Sequence, residues 1–132
     1  MSQGFSKSPP LPTRAGVIAF IIDGGGAAIT TGIKGDIEVP FGCTITSATL
    51  LADQSGSIVV DIWKDTYASY PPTDADSITS ATPPTIATAT KSQDVTLTGW
   101  TKSITQGDCI RFNVDSCTTI TRCTVSLGVT KT

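Results

Sequence analysis

Ser57-Ile58-Val59-Val60-Asp61-Ile62-Trp63-Lys64 is the stretch that decides the fold class. Its side chains alternate: Ile58, Val60 and Ile62 fall on one face, and Val59, Asp61 and Trp63 on the other. A period of two with β-branched residues on the apolar side is the signature of a half-buried strand. Upstream, Thr44 to Ala52 reads as another strand, and Asp53-Gln54-Ser55-Gly56 between them reads as the turn of a hairpin.

The same alternation recurs in both directions. Gly35 to Val39 sets Ile37 and Val39 against Asp36 and Glu38, and Pro40-Phe41-Gly42 closes it. Cys109 to Val114 sets Ile110, Phe112 and Val114 against Arg111 and Asn113. A short turn is expected at Asp115-Ser116-Cys117-Thr118, and a last strand, Thr119 to Val129, turns Cys123, Val125, Leu127 and Val129 inward. Val17 to Ile22 is apolar on both alternating faces, as for a strand covered on both sides or lying at an interface, and Asp23-Gly24-Gly25-Gly26 ends it. Val95 to Thr101 completes the set. Seven or eight short strands without a helical period predict an all-β, antiparallel sandwich of jelly-roll-like form.

Two segments break the pattern. Residues 1–15 form a proline-rich extended arm ahead of a single domain, 16–132; Phe5 and Leu11 are its apolar anchors and Pro9, Pro10 and Pro12 stiffen it, which suits docking on another subunit. From about residue 65 to 95 the chain reads as one long irregular loop, with a helical turn expected at Thr73 to Ser77 capped by Thr73 or Asp74.

Composition limits the function classes. Hydrophobic residues are 39% and charged residues 15%, the latter well below the roughly 25% of an average globular protein. Serine and threonine cover the surface instead, and threonine suits a pleated, half-wet face. Net charge is −2 with basic residues scattered, so nucleic-acid binding through a basic face is not expected. The longest apolar run, Val17 to Ile22, is too short for a membrane span or a signal-peptide core, and synthesis in a cytosol is expected. Cys43, Cys109, Cys117 and Cys123 lack metal-ligand spacing, and the expectation is four reduced thiols acting as small hydrophobes; a pairing of Cys109 with Cys117 or Cys123 is the alternative.

The chain contains no histidine, so the usual general base and the commonest metal ligand are missing. Glu38 is the sole glutamate. Asp74-Ala75-Asp76 lacks the glycine and closing glutamate of a calcium loop, and Asp23-Gly24-Gly25-Gly26 lacks the lysine of a phosphate loop. No enzyme activity, cofactor or metal is expected. One constellation carries a binding reading: Trp63, Tyr67, Tyr70 and Trp100, with Asp65, border the irregular segment as a candidate glycan edge. The competing reading is that the two tryptophans simply cover an end of the sandwich.

Ile21-Ile22-Asp23-Gly24-Gly25-Gly26, Thr30 to Gly35 and the long run Leu50 to Tyr67 also carry a resemblance. Together with Pro71 to Asp76, Lys91 to Asp94, Leu97-Thr98-Gly99-Trp100 and Gly107-Asp108 leading to Arg111 through Asp115, they resemble a small domain found in virion proteins of tailed bacteriophages and prophages. The resemblance spans Val17 to Thr132 and leaves the arm outside. It implies a virion structural protein made in the host bacterial cytoplasm. The two forms open are a capsid decoration (cement) protein and a peripheral tail or fibre component; a glycan- or receptor-binding module of a tail fibre is the alternative. The partners implied are a major capsid protein or tail and fibre subunits, further copies of the chain and a possible glycan, with neither nucleic acid nor membrane.

Overall fold

A computed structural model describes residues 14–132. The expected all-β antiparallel fold is found, and no α-helix occurs among the described residues. The strands are β1 (Ala15–Asp23), β2 (Gly32–Glu38), β3 (Cys43–Asp65), β4 (Thr85–Asp94), β5 (Ser103–Ile104), β6 (Cys109–Thr118) and β7 (Arg122–Lys131). The arm residues Phe5, Pro9, Pro10, Leu11 and Pro12 lie outside the described residues.

The strands make one curled sheet in the order β1-β7-β3-β6-β2, with β4 and β5 on the other edge of β3. Register reveals a simpler plan. β3 pairs with β6 over Ser57–Asp65 and with β7 over Cys43–Ala52, from Asp65 opposite Cys109 to Cys43 opposite Lys131, with only the bend at 53–56 between the two ladders. β1 and β2 line the far side of that same stretch, from Ala15 opposite Thr130 to Glu38 opposite Cys109. Four long antiparallel arms therefore lie side by side and are doubled over near their middles. The doubling shows in Phe20 of β1, which stacks on Phe112 of β6 with ring centroids 4.7 Å apart and planes 7° from parallel. Phe20 also lies against Gly35 of β2, where an added Cβ would sit 2.5 Å from its ring. Successive strands of one arm thus face each other across the core. At the open end, Val39 N–H donates to Asp108 O and Gly107 N–H to Val39 O, both at 2.8 Å, tying together the two connections that cross there.

This plan corrects the hairpin expected at Asp53-Gln54-Ser55-Gly56. Those residues remain inside β3, so Thr44–Ala52 and Ser57–Lys64 are two halves of one 23-residue strand. The turn-type residues bend the ribbon instead of reversing it. Gly56 permits close approach, since a Cβ there would overlap Thr118 O and Thr119 Oγ1. The Asp53 carboxylate accepts from the backbone N–H groups of Thr121 (3.2 Å) and Arg122 (3.0 Å), and from the Thr121 hydroxyl. The Gln54 amide donates to Thr119 O. Polar groups satisfied by the segment joining β6 to β7, far away in sequence, hold the bend.

Other boundaries shift for related reasons. Asp115 to Thr118 continue β6 rather than turning; the break comes at Thr119, which has φ 65°. Val95 to Thr101 is not a strand: Asp94 accepts from the N–H groups of Thr96 and Leu97, and Leu97 (φ 54°) and Gly99 (φ 78°) turn the chain. β4 lies within the stretch taken as loop, because Thr85 to Asp94 buries only Ile86 fully and so shows little apolar alternation. The turn expected at Thr73 to Ser77 is present as a 3₁₀ turn at Asp74–Asp76, with Thr73 as cap and its N–H donating to the Asp76 carboxylate at 2.8 Å.

The core follows the predicted alternation. Ile58, Val60 and Ile62, then Ile110, Phe112 and Val114, then Cys123, Val125, Leu127 and Val129 are all buried in one cluster, to which β1 adds Ile18 and Ile22, β4 Ile86 and β5 Ile104.

Candidate functional site

The aromatic residues separate into two groups. Trp63 and Trp100 are each only 8% exposed, so their rings are not offered to solvent. Their indole N–H groups fasten the segment between β3 and β4. Trp100 Nε1 donates to Thr82 O at 3.0 Å, and Trp63 Nε1 donates to Asp61 Oδ2 at 2.9 Å. Asp61 is the centre of that fastening. Its carboxylate also accepts from Ile62 N–H (2.8 Å), Ser77 Oγ (2.7 Å) and Thr79 Oγ1 (2.6 Å). Backbone bonds from Ile78 N–H to Ile62 O (2.9 Å) and from Val60 N–H to Pro84 O (3.0 Å) complete the seam. Much of the irregular segment is thus pinned to the edge of β3.

Tyr67 and Tyr70 go elsewhere, and are 74% and 44% exposed. They meet the wet faces of β2 and β6, where Asp36 and Arg111 stand directly opposite each other. Arg111 Nε donates to Asp36 Oδ1 at 2.7 Å and Nη2 to Oδ2 at 3.0 Å, a bidentate pair. Arg111 Nη2 also donates to the Tyr70 hydroxyl at 3.2 Å, and that hydroxyl donates to Asp36. The guanidinium carbon lies 5.5 Å from the centre of the Tyr70 ring. Beside this cluster is a groove of about 180 Å³ lined by Asp36, Ile37, Glu38, Tyr67, Tyr70 and Cys109. Asp65 accepts from Thr66 N–H at 2.8 Å and serves the local turn. Asp36, Glu38 and Arg111 were absent from the expected edge. Alternation places each on a wet strand face, but only the pairing of β2 with β6 brings them to Tyr70.

The Arg111 hydrogen bonds hold the Asp36 carboxyl below the usual carboxylate range, while the bond to Asp36 raises the Tyr70 hydroxyl. A depressed folded pKa means that the pair contributes stability above the unfolded carboxyl value of about 3.9 and loses it as pH falls through the lower folded value. Asp36→Asn should therefore be less stable than wild type at neutral pH by on the order of 1 kcal/mol or less, the pair being partly exposed. Thermal unfolding across an acid series should show that gap closing below the unfolded value; a gap constant with pH would refute the coupling.

All four cysteines are free, and Cys43, Cys109 and Cys123 are buried. Burial raises every thiol pKa, that of Cys123 to about 11. Thiols held protonated are poor nucleophiles. Alkylation of the native protein should be slow, whereas denaturing, non-reducing conditions should add four adducts by intact mass. Fewer adducts would reveal a disulfide.

Among the described residues no three of His, Cys, Asp or Glu gather as a metal site. Asp76 is engaged in its own cap.

A second surface lies on the outer face of β1, β7 and the first half of β3. Cross-strand rows run Leu51-Thr124-Ile21, Thr49-Ser126-Ala19 and Ser47-Gly128-Val17. None of these nine residues is charged, and Val17, Ile21 and Leu51 are 59%, 60% and 49% exposed; charged residues bound the patch, the pair Asp23 and Arg122 at one end and Lys91 of β4 opposite Leu51. Fold and surfaces together define a class, an antiparallel all-β protein with an open face whose central patch is uncharged. No family model, curated protein or solved structure matches the chain.

Proposed function

We propose that this chain is a non-enzymatic structural protein of a bacteriophage particle, a capsid decoration (cement) protein or a peripheral tail or fibre component. The resemblance of Val17 to Thr132 to phage virion domains supports the assignment to a particle. The observation that carries the structural role is the uncharged central patch on the outer face of β1, β7 and β3, with Val17, Ile21 and Leu51 standing out of a Ser/Thr field. Such a face loses little on desolvation and gains apolar burial when a protein surface covers it. The bend and core behind it make it a firm platform.

A second reading, contact with a glycan, draws on one specific observation: exposed Tyr67 and Tyr70 stand beside Asp36 and Glu38 at an open groove. Ring faces that pack on sugar C–H groups, with carboxylates for the hydroxyls, are the needed elements. Purified chain should be offered to intact particles lacking it and, separately, to a glycan array. Saturable binding to particles with a silent array supports the structural role. Selective glycan binding without particle binding would replace it with adhesion.

A further inference from the structure

Four strands have an edge without a strand partner among the described residues: β1, β2, β4 and the two-residue β5, which is too short to template another chain. An open edge invites pairing with another chain unless charge, proline or a bulge blunts it. β2 is blunted by Lys34, Asp36 and Glu38 and by a register shift between Ile33 and Gly35. β4 is blunted by Lys91, by two register shifts and by Thr88 at φ 49°. β1 has none of these. From Gly16 to Ile22 it carries neither charge nor proline, and its nine-residue ladder with β7 runs without a shift. A mostly apolar cleft of about 230 Å³, lined by Val17, Ile18, Ala19, Ile37, Phe41 and the single charged residue Glu38 among others, runs beside it.

We infer that β1 of one chain pairs antiparallel with β1 of a second copy, about a twofold axis at Ala19. The strand is self-complementary in that register. Val17 of each chain comes opposite Ile21 of the other, joining the exposed apolar side chains into two cross-strand pairs, and small Ala19 meets its own copy at the axis. The charges agree as well. Arg14 and Asp23 flank the apolar run at opposite ends, so antiparallel pairing sets Ala15 opposite Asp23 and brings Arg14 of each chain beside Asp23 of the other. A parallel pairing would set like charges together. The outcome is an isologous dimer in which the uncharged central patch continues across both copies.

Sedimentation of the full chain should give twice the chain mass. Ile21→Lys should give a single-chain mass with an unchanged far-ultraviolet spectrum. Ala19→Cys should oxidise to a covalent dimer, because residues directly opposite in an antiparallel pair have Cα atoms about 4.5–5.5 Å apart, within disulfide reach. Thr49→Cys, on the same face but away from the axis, should not. A wild-type chain that stays monomeric at the highest concentration reached would overturn the inference, as would a dimer that survives Ile21→Lys and leaves Ala19→Cys uncrosslinked.

Discussion

Phe112→Ala should lower unfolding stability by about 3–5 kcal/mol, the range for deleting a fully buried aromatic ring. Phe112 is 0% exposed and lies on β6, with Gly35 and Ile62 as its paired neighbours and Phe20 stacked on it from β1. The ring is therefore a principal contact between the two halves of the doubled sheet. Its loss leaves a cavity that the flanking strands cannot fill, because their ladders fix their spacing. Denaturant titration should show a lower midpoint with an unchanged slope. Phe112→Leu should cost much less, since most of the volume stays. A loss for alanine no larger than for leucine would mean that the halves do not depend on this stack.

Asp61→Ala should cost about 3 kcal/mol, for a different reason. The carboxylate is 8% exposed and accepts four hydrogen bonds, from Ile62 N–H, Trp63 Nε1, Ser77 Oγ and Thr79 Oγ1. Removing it leaves several donors unsatisfied inside the protein, and bonds to a charged acceptor are worth more than neutral ones. The damage should be local as well as global. Amide exchange at Ile78, whose N–H is bonded to Ile62 O, should accelerate, and Trp63 emission should shift to the red. Asp61→Asn keeps the shape and one acceptor oxygen, so it should fall between alanine and wild type. Wild-type exchange at Ile78 in the alanine variant would show that the segment is held by the backbone seam alone.

Those two residues also mark what the sequence could and could not convey. Phe112 was legible: alternation around it placed Ile110, Phe112 and Val114 inward, and all three are buried. The same rule worked for Cys123 through Val129, because a strand with one wet face must separate its apolar residues by two. Alternation is blind to partners, however. Asp53-Gln54-Ser55-Gly56 has the composition of a hairpin turn, and nothing local says that Thr119, Thr121 and Arg122 will claim its polar groups. β4 escaped notice because an edge strand buries so little that threonine and serine suffice. Alternation sets Asp61 on the face away from Ile62, and only the fold lays Ser77 and Thr79 over it. For the candidate site the lesson is similar. The types in the aromatic edge are visible, but Trp63 and Trp100 act as fasteners, while Tyr70 joins Asp36 and Arg111 from strands distant in sequence and Tyr67 lines the groove beside them.

The most direct test of the proposed function is to locate the chain on the particle. Particles assembled from the genome that encodes it should be purified and reconstructed by electron microscopy, with the doubled-over sheet of residues 15–131 fitted to the density. This domain is expected at a fixed, repeated position on the capsid exterior or at the tail periphery, with the Val17, Ile21 and Leu51 face covered by protein. Particles complete without the chain would contradict it.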